Sequence, residues 1–273
     1  MNPPLEVAVV GHTNAGKTSL LRTLARRRDV GEVSASPATT RRVEPIPLHL
    51  DGTEAIVLLD TPGLEDSIGL LEAVDAATAD RRTDRIAALE SFLASPEAAA
   101  FPQETQALEA ARRADLLLAV IDARDRVLPR HLDELELLGR CGRPTIPVLN
   151  FVASKESDAE GWRSALARLG LHAVVAFDTV AFELEDERRL FEAIRTLAPE
   201  HRDAIDGLLE ARRRERNRRR SASANRIADL LLDAASMAIE VPKGDGDESA
   251  AADSALGALR DRLRNLEHAA HLE

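Results

Sequence analysis

The sequence predicts an α/β fold of three layers, a mostly parallel six-stranded sheet with one antiparallel edge strand, carrying a helical insertion and a helical C-terminal extension. Three observations predict it. Short apolar runs alternate with stretches of helical spacing, which is the pattern of right-handed crossovers between parallel strands. A glycine-rich stretch, GHTNAGKT at 11–18, lies between the first apolar run and the first helical one. Two further runs flank Asp51-Gly52, a hairpin turn signal that accounts for the antiparallel edge.

Taken in order, LEVAVV (5–10) reads as the first strand and TSLLRTLARR (18–27) as the first helix. VEPIPLHL and EAIVLLD form the hairpin around Asp51-Gly52. DLLLAVID (115–122), TIPVLN (145–150) and HAVVAF (172–177) are apolar enough to be strands buried on both faces. Helical stretches at 130–140, 157–169 and 185–197 separate or follow them. Residues 65–103 exceed a minimal crossover and read as a helical insertion, with Ile86, Leu89, Phe92 and Leu93 at helical spacing. The first domain is therefore placed at 1–198 and a helical extension at 199–273, with the acidic, glycine-containing stretch at 241–253 as a flexible linker before a last helix.

Composition bounds the function. Among 273 residues, 44% are hydrophobic, enough for a core, but only 3% are aromatic, so aliphatic side chains must build it. A net charge of -11 argues against general nucleic-acid binding while leaving room for a local basic patch. One cysteine, Cys141, allows no intrachain disulfide and fits a reducing, cytoplasmic setting. The N-terminal apolar run lacks a basic flank and reads as a strand, not a signal peptide. No run reaches membrane-span length, since the best candidate, 227–241, contains Asp229, Asp233 and Glu240.

Chemistry concentrates in 11–19. Gly11-x4-Gly16-Lys17-Thr18 fits the P-loop pattern in full, with a strand before it and a helix after it. The glycines let the main chain curl so that several N–H groups of 11–19, with His12, Thr13, Asn14, Ala15 and Ser19 among the nucleotide-binding residues, turn toward phosphate oxygens. The helix opening near Gly16 adds its positive end. Lys17 reaches the β- and γ-phosphates, and the Thr18 hydroxyl binds Mg²⁺. Asp60-Thr61-Pro62-Gly63 follows a strand; Asp60 is placed to hold Mg²⁺ through water, and the Gly63 N–H to meet the γ-phosphate. PATTRR (37–42) supplies a threonine that can sense the γ-phosphate and relax after hydrolysis.

GHTNAGKTSLLRTL, PATTRR, LLDTPGL and ADLLLAVIDARD together resemble the TrmE–Era–EngA–YihA–septin class of P-loop GTPases, over about residues 4–198 less the insertion. More narrowly, the chain is similar to a bacterial group in which a ribosome-binding-type G domain precedes a C-terminal domain of unknown function. Members of that group usually run longer, which suggests a truncated form. The resemblance implies GTP or GDP with Mg²⁺ as ligands and slow, switch-like hydrolysis. It implies that Asn14 coordinates a K⁺ ion bridging the phosphates, where a fixed positive charge assists catalysis. It makes Thr40 the Mg²⁺-binding threonine, although Ala38 and Arg42 depart from the usual PGTTRD. Leu64 stands where many GTPases place a water-orienting glutamine. Glu72, nine residues past Gly63, has the spacing of a glutamate that orients water in one relative type; the other reading is a solvated helix glutamate. The class often pairs G domains face to face, which implies a nucleotide-dependent homodimer.

The base-reading loop departs most. The class expects NKxD after the fifth strand, where the aspartate accepts two hydrogen bonds from guanine. Here Asn150 fits, but Phe151 replaces the lysine and Ala153 the aspartate. Phe151 can stack on the base or be buried core, and Glu156 or Asp158 can return to supply an acid. The second base-contacting loop falls at Asp178–Ala181 without a clear signature. A nucleotide-binding scaffold with little turnover and a P-loop ATPase therefore stay open beside the GTPase. Finally, Arg212–Arg220 carries seven arginines in nine residues, suited to ribosomal RNA, to an anionic membrane surface peripherally bound, or simply to solvent. His12 and Cys141 suggest no metal or redox chemistry.

Overall fold

The computed structural model describes residues 3–27, 42–77, 84–236, 253–262 and 264–265. Six strands form one sheet in the order β2-β3-β1-β4-β5-β6. They are β1 (Leu5–Val10), β2 (Glu44–Leu50), β3 (Thr53–Asp60), β4 (Leu116–Asp122), β5 (Thr145–Asn150) and β6 (Val175–Ala176). β2 and β3 pair antiparallel, and every other pairing is parallel. The hairpin turn is the one that the sequence signals: Asp51 at φ 51° and Gly52 at φ 84° give the doubly left-handed turn that matches strand twist. β2 carries Pro45 and Pro47 because it lies at the sheet's edge, where a missing N–H costs no ladder bond.

The sixth strand is shorter than the six-residue run suggests. β5 pairs with β6 only at Val148 and Leu149. The residue before them, Pro147, has no N–H to extend the ladder toward residues 172–174.

Helices cover both faces. They are α1 (Lys17–Ala25), α2 (Ser67–Ala77), α3 (Arg85–Leu93), α4 (Pro102–Arg113), α5 (Pro129–Gly139), α6 (Ala159–Arg168), α7 (Leu184–Leu197) and α8 (Arg202–Ser236). Alternation along the strands divides the core in two. Leu5, Val7 and Val9 of β1 face one cluster, with Leu20, Leu24, Phe177, Phe191, Ile205 and Leu208. Ala8 and Val10 face the other, with Leu64, Leu70, Phe92, Leu108 and Trp162. Strands buried on both sides need no polar alternation, which is why β4 and β5 read as nearly continuous apolar runs. Within the expected helical insertion, α2 and α3 line the second cluster through Leu70, Val74, Leu89 and Phe92. α4 was not anticipated as an element of its own. Its Pro102 occupies the first turn, where a proline costs no hydrogen bond.

The chain forms two compact units, Met1–Leu209 and Glu210–Glu273. Most of the proposed linker at 241–253 lies outside the described residues, as do residue 263 and the part of the last helix beyond 265. Among the described residues, no helix is long and apolar enough to cross a membrane.

Candidate functional site

The carboxyl ends of β1, β3, β4 and β5 deliver the loops that the sequence singles out to one edge of the sheet. Residues 11–16 link β1 to α1. Gly16 caps that helix at φ 93° with no side chain across its open N–H groups. A Cβ there would stand 2.2 Å from Asn150 Nδ2, so residue type and close packing both require glycine. Asn14 adopts φ 66°, a left-handed conformation that Asn and Gly tolerate best. Its exposed side chain borders a cavity of about 290 Å³ shared with His12, Asp122, His131, Glu134 and Trp162.

Lys17 is buried. Its Nζ donates to the Gly11 carbonyl at 2.9 Å and the His12 carbonyl at 2.8 Å, which folds the ammonium back over its own loop. Burial lowers its pKa, against the raising pull of Glu134 first, then Asp60 and Glu65. Glu134 of α5 is buried next to it. Burial raises that carboxyl, partly offset by Lys17 and by the His12 main-chain N–H that it accepts. An anion brought to this loop would favour the charged ammonium and offset the hydration that Lys17 loses on burial.

The loop after β3 rests directly on the first one. Gly63 approaches so closely that a Cβ would lie 2.2 Å from Thr13 Oγ1. The Leu64 N–H donates to the Gly11 carbonyl at 3.3 Å. His12 Nδ1 meets the Leu64 carbonyl at 2.7 Å, so that nitrogen carries the proton. Asp60 is fully buried, and its Oδ2 accepts from Thr18 Oγ1 at 2.9 Å. A hydroxyl and a carboxylate, both hard oxygen donors, suit Mg²⁺, which takes one or two protein ligands and completes its shell with water and phosphate oxygens.

Leu64 is fully buried in the second cluster, so its side chain points into the core and away from any phosphate. Glu65, its neighbour, does reach the P-loop, accepting from Thr13 Oγ1 at 2.9 Å. Glu104 of α4 accepts the main-chain N–H groups of Glu65 at 3.3 Å and Asp66 at 3.2 Å, holding the segment that leads into α2. Sequence reasoning passed over both glutamates. Glu65 was open to notice, two residues past Gly63; nothing in the sequence joins Glu104 to it. Glu72 stands exposed on α2, and Ser19 is exposed in the first turn of α1. Thr40 lies outside the described residues.

Asn150 is almost fully buried at the end of β5 and bonds through both ends of its carboxamide. Nδ2 donates to the Ala15 carbonyl at 3.0 Å. Oδ1 accepts from the Phe151 N–H at 2.9 Å, and from the Thr179 N–H and hydroxyl at 3.0 Å each. One side chain thus ties the P-loop to both base loops. Asp178, also buried, staples those loops: Oδ2 accepts from Ala153 N–H, and Oδ1 from Val180 and Ala181 N–H, each at 2.9 Å. Burial pushes its carboxyl up, but these donors and nearby Arg124 outweigh that and hold it below the ordinary value. Asp158 caps α6 through Gly161 N–H and is thereby occupied. Glu156 is exposed.

Phe151 joins neither apolar cluster and is half-buried at φ 58°. Its Cζ would lie 3.3 Å from a Cβ at Gly16, and the Arg124 guanidinium stands 4.0 Å from its ring centroid. Asp122 fixes that guanidinium through Nε at 2.9 Å and Nη2 at 2.6 Å. The cysteine is remote from all of this: buried Cys141 has its thiol pushed up to about 12 by burial. In the second unit, Arg212–Arg220 belongs to α8, and its ion pairs include Arg214 with Glu210 at 3.8 Å and Arg219 with Glu215.

Residues 6–151 match the family described as 50S ribosome-binding GTPase, and residues 163–273 match a domain of unknown function (DUF3482). Among curated proteins, the tRNA modification GTPase MnmE of Mesorhizobium japonicum is 32% identical over 60% of this chain and 46% of its own length. GTPase Der of Xanthomonas campestris pv. campestris is 29% identical over 75% of this chain and 33% of its own length. The chain thus spans less than half the length of these relatives. A solved structure of Era with MgGDPNP and nucleotides of 16S ribosomal RNA shares the fold, at 20% identity and a TM-score of 0.52, over 72% of this chain and 57% of that one.

Proposed function

The chain belongs to the 50S ribosome-binding GTPase family, and on that footing we propose that it binds GTP and hydrolyses it to GDP and phosphate, with the state of the bound nucleotide acting as a switch. The observation that carries the reading is the joint packing of the two phosphate-facing loops. Lys17 is held over the first loop by two of its carbonyls, while Thr18 and Asp60, 2.9 Å apart, bring a hydroxyl and a carboxylate together beside it. Main-chain N–H groups of 13–18 and the open end of α1 bind the polyphosphate. As water attacks the γ-phosphorus and the bond to the β–γ bridging oxygen breaks, charge builds on the GDP leaving group, where Lys17 stabilises it, while the Gly63 N–H holds a γ-oxygen. Thr18, Asp60 and Thr40 would hold Mg²⁺, which when bound neutralises charge on the β- and γ-oxygens, and Asn14 would hold a K⁺ ion to the same end.

Leu64 cannot orient water, because its side chain is in the core. Hydrolysis by the isolated chain should therefore be slow, with Glu72 kept as the candidate that a partner or a second copy would bring into play. The basic run Arg212–Arg220 is our candidate contact for a phosphate-rich partner; ribosomal RNA, which the Era structure contains, is the one favoured.

The test is phosphate release by the full chain with Mg·GTP, in K⁺ and in Na⁺. Turnover that is faster in K⁺ and abolished in a Lys17→Met variant supports the reading. Tight GTP binding without turnover in either cation would instead make the chain a nucleotide-dependent scaffold.

A further inference from the structure

The loops that should read the base have spent their polar groups on each other. Asn150 spends its Oδ1 on Phe151 and Thr179 and one of its two Nδ2 hydrogens on Ala15, which leaves one N–H and no free acceptor. Asp178 takes the N–H groups of Ala153, Val180 and Ala181, so neither its carboxylate nor those amides face outward. Position 153 offers a methyl group, and Asp158 caps a helix.

What remains is flat. Phe151 leans on the P-loop at Gly16, and the fixed Arg124 guanidinium lies over its ring. The ring is held at a cost: φ 58° is a conformation that an aromatic residue rarely adopts. An outlier of this kind outside either core cluster is a reason to seek a role for the ring.

We propose that this pocket does not discriminate between purines. The polyphosphate loop supplies the affinity and the base stacks on the Phe151–Arg124 pair, so guanine and adenine nucleotides bind within about tenfold of each other. Stacking accepts any π-face, whereas a site that reads a base through hydrogen bonds rejects the wrong one by about 10⁴-fold or more. This inference rests on the reading of 11–18 as a triphosphate site.

Calorimetry on the full chain with Mg·GDPNP and Mg·ADPNP tests it, on wild type and on three variants. Wild type should bind both within about tenfold. Ala153→Asp should favour guanine by a further tenfold or more, because it restores a carboxylate acceptor. Phe151→Gly should weaken both nucleotides alike while leaving the urea midpoint nearly unchanged, since glycine relieves the backbone. A core phenylalanine would instead lose stability. Guanine preference above a hundredfold in wild type, lost in Glu156→Gln, would overturn the proposal by identifying Glu156 as the reader; the same preference kept in that variant would overturn it as well. No binding of either nucleotide to folded wild type would bring down the triphosphate site itself, and this inference with it.

Discussion

The two ends of the candidate site are built from different material. At the proposed phosphate end, the groups on offer are main chain: an uncapped helix terminus, a loop folded back by Lys17, and a second loop pressed on it at Gly63. At the base end, the family's recognition is side chain, and the side chains have changed to Phe151 and Ala153. Backbone recognition survives sequence change as long as the glycines stay, because any residue supplies an N–H. Side-chain recognition is lost with a single substitution. Asn150 works alongside the first kind despite being a side chain, for it ties the P-loop to both base loops and so fixes them relative to each other.

The sharpest way to break this contrast is to remove the one phosphate-end side chain that cannot be replaced by an amide. Lys17→Met should lower single-turnover phosphate release by about a thousandfold, in line with the loss of one preorganised charge, with circular dichroism unchanged. A rate within tenfold of wild type would contradict its role.

Gly16→Ala comes next. The added Cβ meets Asn150 Nδ2 at 2.2 Å in a left-handed backbone, so stability should fall by about 3 kcal/mol. Urea denaturation measures this; an unmoved midpoint would show that the close approach is not real.

Asp178→Asn probes the staple at the base end. It leaves buried N–H groups facing an amide and should cost about 2 kcal/mol at pH 7. Because the folded-state carboxyl is held below its ordinary value, its contribution is complete above the unfolded carboxylate value of about 3.9 and fades as pH falls through the folded one. Wild type and variant should therefore converge in acid. A difference that grows on acidification would have the wrong sign.

The smallest effect expected is that of Asn14→Gly. Glycine keeps φ 66° available, so only the carboxamide is lost. Nucleotide affinity should hold, while the ratio of rates in K⁺ and Na⁺ falls by about tenfold, to near one. An unchanged ratio would leave Asn14 as a residue chosen for its backbone alone.

Much of this was legible beforehand, and unevenly. GHTNAGKT, DTPG and the Asp51-Gly52 turn all announce themselves, because glycine spacing states a local backbone requirement. The extent of β6 did not, since a run such as HAVVAF is apolar whether or not its neighbour can pair with it. Leu64 was recognisable as a missing glutamine, yet only packing showed that its side chain fills the core. The sequence is compatible with either stacking or burial for Phe151, and the absence of that residue from both clusters favours stacking.

The amino-acid string alone determined the fold class, the P-loop and the gap at position 153, for these depend on periodicity and on residues close in sequence. Tertiary structure decided the rest. It set Glu134 beside Lys17, Glu104 under the Glu65 turn, and Asp178 across two loops from Ala153. Those partners are 117, 39 and 25 positions apart along the chain. No local propensity relates such residues; only the burial of a shared sheet brings them within reach, and only then do their charges matter to one another.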